Sequence, residues 1–171
     1  EDKRLNNSWG ANITSTTSSE DNSLVLSVPA GGTIHLIEKY LVHSHPISRG
    51  YNYTPTNYLT FRKANGGAME TVYTINKTFS LEMDNWKKSI EEMGLNENEK
   101  ENLIHYILGR YRDFDFDQAP QYKYKFYLLS VLCELPNAPR PPKNNPGGWV
   151  YTLKDLKESK DFVYTVNKNK S

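Results

Sequence analysis

Three of the four histidines fall between Thr33 and Pro46, and two of them, His43 and His45, are separated by a single serine. Residues two apart on a β-strand project to the same side, so these imidazoles can close on one metal ion or share acid–base work. Zinc is the cofactor such a pair admits, and a zinc-bound water would be the nucleophile of a hydrolytic reaction. Two more ligands would be needed. Glu38, five positions upstream, and the aspartates of the run Asp113-Phe114-Asp115-Phe116-Asp117 are the carboxylates weighed as acid–base partners.

The phrase His43-Ser44-His45-Pro46 resembles the histidine motif of the JAMM family of zinc-dependent isopeptidases. That resemblance implies a serine and an aspartate a short fixed distance downstream and a glutamate upstream. Residues 47–61 read ISRGYNYTPTNYLTF and hold no aspartate, and Glu38 is the near upstream glutamate. The run NGGAMETVYTIN, residues 65–76, resembles a late strand of the NAD-dependent ADP-ribosyltransferase toxins, which implies NAD as a cosubstrate. The Glu-x-Glu and Ser-Thr-Ser motifs of those toxins do not follow in that family's order.

A separate constellation needs no reaction at all. Arg49, Tyr51, Tyr53 and Tyr58 cluster in and beside the stretch SRGYNYTPT, whose glycine, asparagine and proline make it a loop. Rigid aromatics beside an arginine suit a ligand-contacting surface. The chain carries 12 tyrosines, which fits both sheet faces and recognition of proteins or sugars.

These residues must be positioned by strands. Leu24 to Val28 alternates, Pro29-Ala30-Gly31-Gly32 interrupts, and alternation resumes from Thr33 to His45, which predicts a hairpin with every histidine of that stretch on one face of its second arm. Tyr58–Arg62 and Met69–Asn76 flank a turn at residues 64–67 and predict a second hairpin. From Ser80, a candidate cap, Met83, Trp86, Ile90 and Met93 adopt helical spacing that ends at Gly94. Asn96 with Glu99 forms a capping-box signature before the apolar stripe Leu103, Ile104, Ile107, Leu108 and Tyr111. His105 lies beside that stripe. The aspartate run reads as a strand with an acidic face, since Gln118 stands where a calcium loop requires glycine.

Tyr122–Leu132 predicts a central strand, with Tyr124, Phe126 and Leu128 opposing Lys125, Tyr127 and Leu129. Residues 136–148 are too rich in proline for regular structure. Trp149–Leu153 predicts a strand, 154–159 a helical turn and Phe162–Asn167 a last strand. A further strand is expected near Trp9–Thr16.

At 171 residues the chain suits one domain over 1–171, with 1–22 as a loosely held arm or edge strand. A formal net charge of +1 without a one-signed block gives no electrostatic argument for nucleic acid. No apolar run reaches membrane-span length, no apolar signal segment opens the chain, and the lone Cys133 excludes an internal disulfide framework. The expected architecture is α+β, an antiparallel-rich sheet with one central helical hairpin. The expected function is a secreted-type, extracellular recognition domain, part of a bacterial toxin or effector, that binds a protein or glycan partner through the tyrosine-rich loop. An enzymatic effector domain, as a histidine-dependent metal hydrolase or an ADP-ribosyltransferase, is the second reading. A structural domain of a larger surface assembly is the third.

Overall fold

The computed structural model describes residues 22–47, 53–116, 122–144 and 146–166. It is a mixed α+β fold whose strands run β1 (Leu24–Pro29), β2 (Val42–Pro46), β3 (Tyr58–Arg62), β4 (Met69–Glu82), β5 (Lys123–Glu134) and β6 (Trp149–Thr152). The helices are α1 (Ile34–Tyr40), α2 (Trp86–Glu92), α3 (Glu97–Asp113) and α4 (Leu153–Glu158). All six strands join one sheet in the order β2-β5-β4-β3-β1-β6, antiparallel except for the β1–β3 pair.

The sheet is strongly curled. His43 on β2 and Phe61 on β3 are three strands apart in hydrogen-bonding order, about 14 Å in a flat sheet, yet their rings are 4.9 Å apart. The concave face gathers Leu26, Leu59, Phe61, Tyr73, Tyr127 and Leu129 into one core. The convex face carries two others. There Trp86 of α2 and Leu103 and Tyr106 of α3 pack with Leu81, Tyr124 and Phe126, and Leu156 of α4 packs with Val25, Met69, Val72 and Tyr151.

A bulge in β4 lets one strand serve both faces. Ile75 pairs with Leu129 but Lys77 with Leu128, so Asn76 is an extra residue in the ladder. Tyr73 and Ile75 point into the concave core, whereas Phe79 and Leu81, of the same odd parity, pack under the helices. An unbroken strand would have put all four on one side.

The expected hairpin of residues 24–45 does not form. Ile34–Tyr40 is a helix, β1 pairs with β3 and β6, and β2 pairs with β5. The apolar residues satisfy both periods: Ile34, Ile37 and Leu41 lie against the concave core while Leu36 and Tyr40 lie toward α3. A helix buries both sets, and a strand at the same place would bury one. Its close seat on α3 depends on Gly109, where a Cβ would stand 3.0 Å from Leu36 Cδ2. Leu41, with φ of 59°, then ends the helix in the left-handed conformation, its N–H bonded to the Ile37 carbonyl.

The capping box at Asn96 and Glu99 is present as expected. Its helix takes α1 as its packed helical neighbour, so a self-contained α2–α3 hairpin is not what organises the centre. The buried stripe of α3 is turned toward Tyr106, leaving Leu108 half exposed, because Tyr106 finds a hydroxyl partner in Ser44. Ser80 lies inside β4, which runs on to Glu82 before a 3-10 turn at Met83–Asn85 leads into α2. Asp113 ends α3 and Asp115 sits in the following turn, so these two aspartates form no strand face. β5 is an interior strand as expected, one place in from the edge. Cys133 is partly exposed. Among the described residues after α4, Phe162 bridges Arg140 and the Val166 N–H bonds to the Val150 carbonyl, and no strand forms over the described part of the expected last strand. The expected strand at Trp9–Thr16 lies outside the described residues. Among the described residues, no helix is long and apolar enough to cross a membrane.

Candidate functional site

β2 alternates with a consequence for each residue. Val42 and Ser44 face α3, and His43 and His45 face the concave core. Pairing with β5 sets His43 opposite Tyr127 and His45 opposite Lys125. Both histidines are almost fully buried, at 6% and 5% exposure.

Each imidazole holds a tyrosine. His43 Nε2 lies 2.9 Å from the Tyr53 hydroxyl and His45 Nε2 lies 3.0 Å from the Tyr127 hydroxyl. His45 Nδ1 is 2.9 Å from the Pro46 carbonyl, which can only accept, so the proton sits on Nδ1 and Tyr127 donates to Nε2. His43 Nδ1 is buried without a partner. A bare lone pair is more easily buried than a bare N–H, so the His43 proton sits on Nε2 and is donated to Tyr53. The rings interleave: Tyr53 is stacked with His43 at 6.0 Å and with Tyr127 at 5.8 Å, and meets His45 at 4.4 Å.

Burial makes these imidazoles reluctant to charge. His43 is pushed down to about 3, first by burial, then by His45 and by the Arg110 guanidinium across β2. His45 is lowered too, chiefly by burial. Arg110 itself lies over the rings of Phe116 and Tyr124 and donates to Ser44 Oγ at 3.2 Å. Burial pushes the Tyr127 phenol up to about 12. Near neutral pH the pairs are therefore uncharged donor–acceptor clamps.

The tyrosines form one wall of a cleft of about 200 Å³ at the open end of the concave face. Leu26, Leu59, Ile75 and Pro55 give it an apolar lining, and Lys125, Thr54 and Thr78 give it polar groups. The Lys125 ammonium lies 5.4 Å from the Tyr127 ring centre and has no ion pair among the described residues.

Of the residues singled out in the sequence, His43, His45 and Tyr53 come together here. Tyr58 does not join them: β3 alternation points Leu59 into the cleft and Tyr58 to the convex core. Arg49 and Tyr51 lie outside the described residues. Glu38 is exposed on α1, beside a shallow depression lined by Phe61, Glu70 and Tyr73, and the imidazoles bond to Tyr53, Tyr127 and Pro46 instead. His105 is exposed on α3 against Tyr40. The donor set fits zinc poorly, because both Nε2 atoms are engaged by phenols and no group of three ligating side chains occurs among the described residues.

Sequence reasoning missed Lys125 and Tyr127 as site residues. Their shared face was visible in the alternation of β5, but its pairing with β2 depends on contacts 82 residues apart in the chain. No family model, curated protein or solved structure significantly matches this chain.

Proposed function

We propose that the protein is a recognition module that grips an acidic side chain of a partner polypeptide in the cleft walled by Tyr53 and Tyr127. The observation that carries this reading is the clamp itself: two uncharged imidazoles fix two tyrosines as a rigid wall beside an ammonium with no ion pair among the described residues. Aromatics held in one rotamer lose little entropy on binding. A group held down to about 3 is a poor proton shuttle near neutrality, so His43 serves to position Tyr53, and His45, lowered in the same direction, holds Tyr127.

Size points the same way. At about 200 Å³ the cleft falls below the roughly 300–1,000 Å³ that enclose a whole small ligand, so it takes one unit of a longer chain. NAD would be far too large. The groups able to donate, Lys125 and the threonine hydroxyls, call for an acceptor-rich unit, and the apolar lining suits its aliphatic stem.

Panning a random-peptide display library on the purified protein tests this. Peptides rich in Asp and Glu should be enriched, and Lys125→Ala should weaken them about tenfold or more, the scale of one charge-assisted hydrogen bond. Enrichment indifferent to Lys125, or none over background, would refute the reading.

A further inference from the structure

A second cleft, of about 300 Å³, opens where the end of α1, the β4 bulge, the first turns of α3 and residues 128–130 of β5 meet. Its chemistry differs from that of the first. Leu41, Val42, Leu128 and Leu129 give it an apolar floor, and four asparagines, Asn76, Asn96, Asn98 and Asn102, stand around it with Ser130. The one carboxylate is spent: Glu99 Oε1 takes the Lys77 ammonium at 2.9 Å and the Asn96 N–H at 3.1 Å. The cleft is thus polar without a spare charge.

The amides are oriented. Asn96 Oδ1 accepts from the Glu99 N–H at 2.8 Å and Asn76 Oδ1 accepts from Ser130 Oγ at 3.3 Å, so both turn their NH₂ groups outward. Asn98 and Asn102, four apart and therefore on one face of α3, have no side-chain partner among the described residues and offer both donor and acceptor.

Three departures from local preference converge on this place. Asparagine is a poor helix former, yet Asn102 sits inside α3, one turn on from Asn98 at the second helical position. Leu41 occupies a left-handed conformation that leucine disfavours. The bulge singles out Asn76 from the ladder. The left-handed Leu41 ends α1 and the bulge turns β4 to its second face, and the same two devices bring their residues to the rim of this cleft.

We propose that this cleft binds a neutral saccharide. Adjacent hydroxyls of a sugar ring present donor and acceptor side by side, as a side-chain amide requires, and the C–H face of the ring meets the leucine floor. The absence of a spare charge in the lining disfavours acidic sugars and phosphates. The site is separate from the Tyr53–Tyr127 cleft and stands whether or not that cleft binds a polypeptide.

The test titrates isotopically labelled protein with neutral oligosaccharides of glucose, mannose and N-acetylglucosamine, and with sialylated oligosaccharides, while NMR reports the backbone and amide shifts. At least one neutral series should shift Asn98, Asn102 and Ser130. The double variant Asn98→Ala/Asn102→Ala should weaken that binding about tenfold or more, and Lys125→Ala should leave it unchanged. Alanine favours the helix, so the double variant folds and a loss is not unfolding. No shift with any neutral series, shifts elsewhere, binding indifferent to the double variant, or preference for the sialylated probes would overturn the proposal.

Discussion

At the scale of single residues, neutrality of His43 matters more than its chemistry. Its folded-state pKa, about 3, lies below the 6.5 expected of the unfolded chain, so between these values only the unfolded chain takes the proton. Stability is therefore full above about pH 6.5 and falls as pH drops toward 3, by roughly 1.4 kcal/mol per unit for this one group. His45 acts in the same direction. Urea unfolding at several pH values should show a steeper acid loss for wild type than for His43→Phe, and parallel curves would contradict the assignment. Tyr53→Phe removes the acceptor of a buried N–H and should cost about 1–3 kcal/mol near neutrality, read from the same titrations. The sequence showed His43 and His45 on one face of a strand. It could not show that the phenols of Tyr53, ten residues on, and of Tyr127, from β5, would face them, and that fact turns a candidate metal pair into a clamp.

At the scale of elements, what was legible was what depends on neighbours in sequence. The Asn96–Glu99 capping box, the turn at residues 64–67 and the two faces of β5 are local, and all are present. Asn96→Ala should cost about 1 kcal/mol in thermal or chemical unfolding, and an unchanged midpoint would deny the cap its role. Helix α1 was misread because Ile34, Leu36, Ile37 and Tyr40 fit either period, and only the presence of two cores, one on each side, decides for the helix. The bulge at Asn76 was illegible for a related reason. It exists to change which face β4 presents, and that need arises from how far the strand extends past β3.

At the scale of the molecule, the curl of the sheet brings β2 and β3 side chains together, and the outer loops hold that shape. Arg62, 1% exposed, donates to the Ser27 carbonyl and hydroxyl at 2.8 Å, to Asn144 Oδ1 at 3.1 Å and to the Gly147 carbonyl. It ties the proline-rich loop to β1 and β3. The turn preceding that contact needs glycine: Gly67 has φ of 79°, and a Cβ there would stand 2.8 Å from Asn144 Oδ1. Arg62→Met should release the loop, so limited trypsin digestion should cut at Lys143 in the variant well before wild type; equal rates would mean that other contacts hold it. The recognition reading rests on the clamps within the curl, and an NMR pH titration of labelled histidine side chains tests them most directly. His43 should stay neutral from pH 8 to 5 with its proton on Nε2, and His45, carrying its proton on Nδ1, should charge only below the ordinary imidazole value. Titration of His43 near its ordinary value, or convergence of both rings on added zinc, would contradict the account and return the pair to catalysis or metal binding.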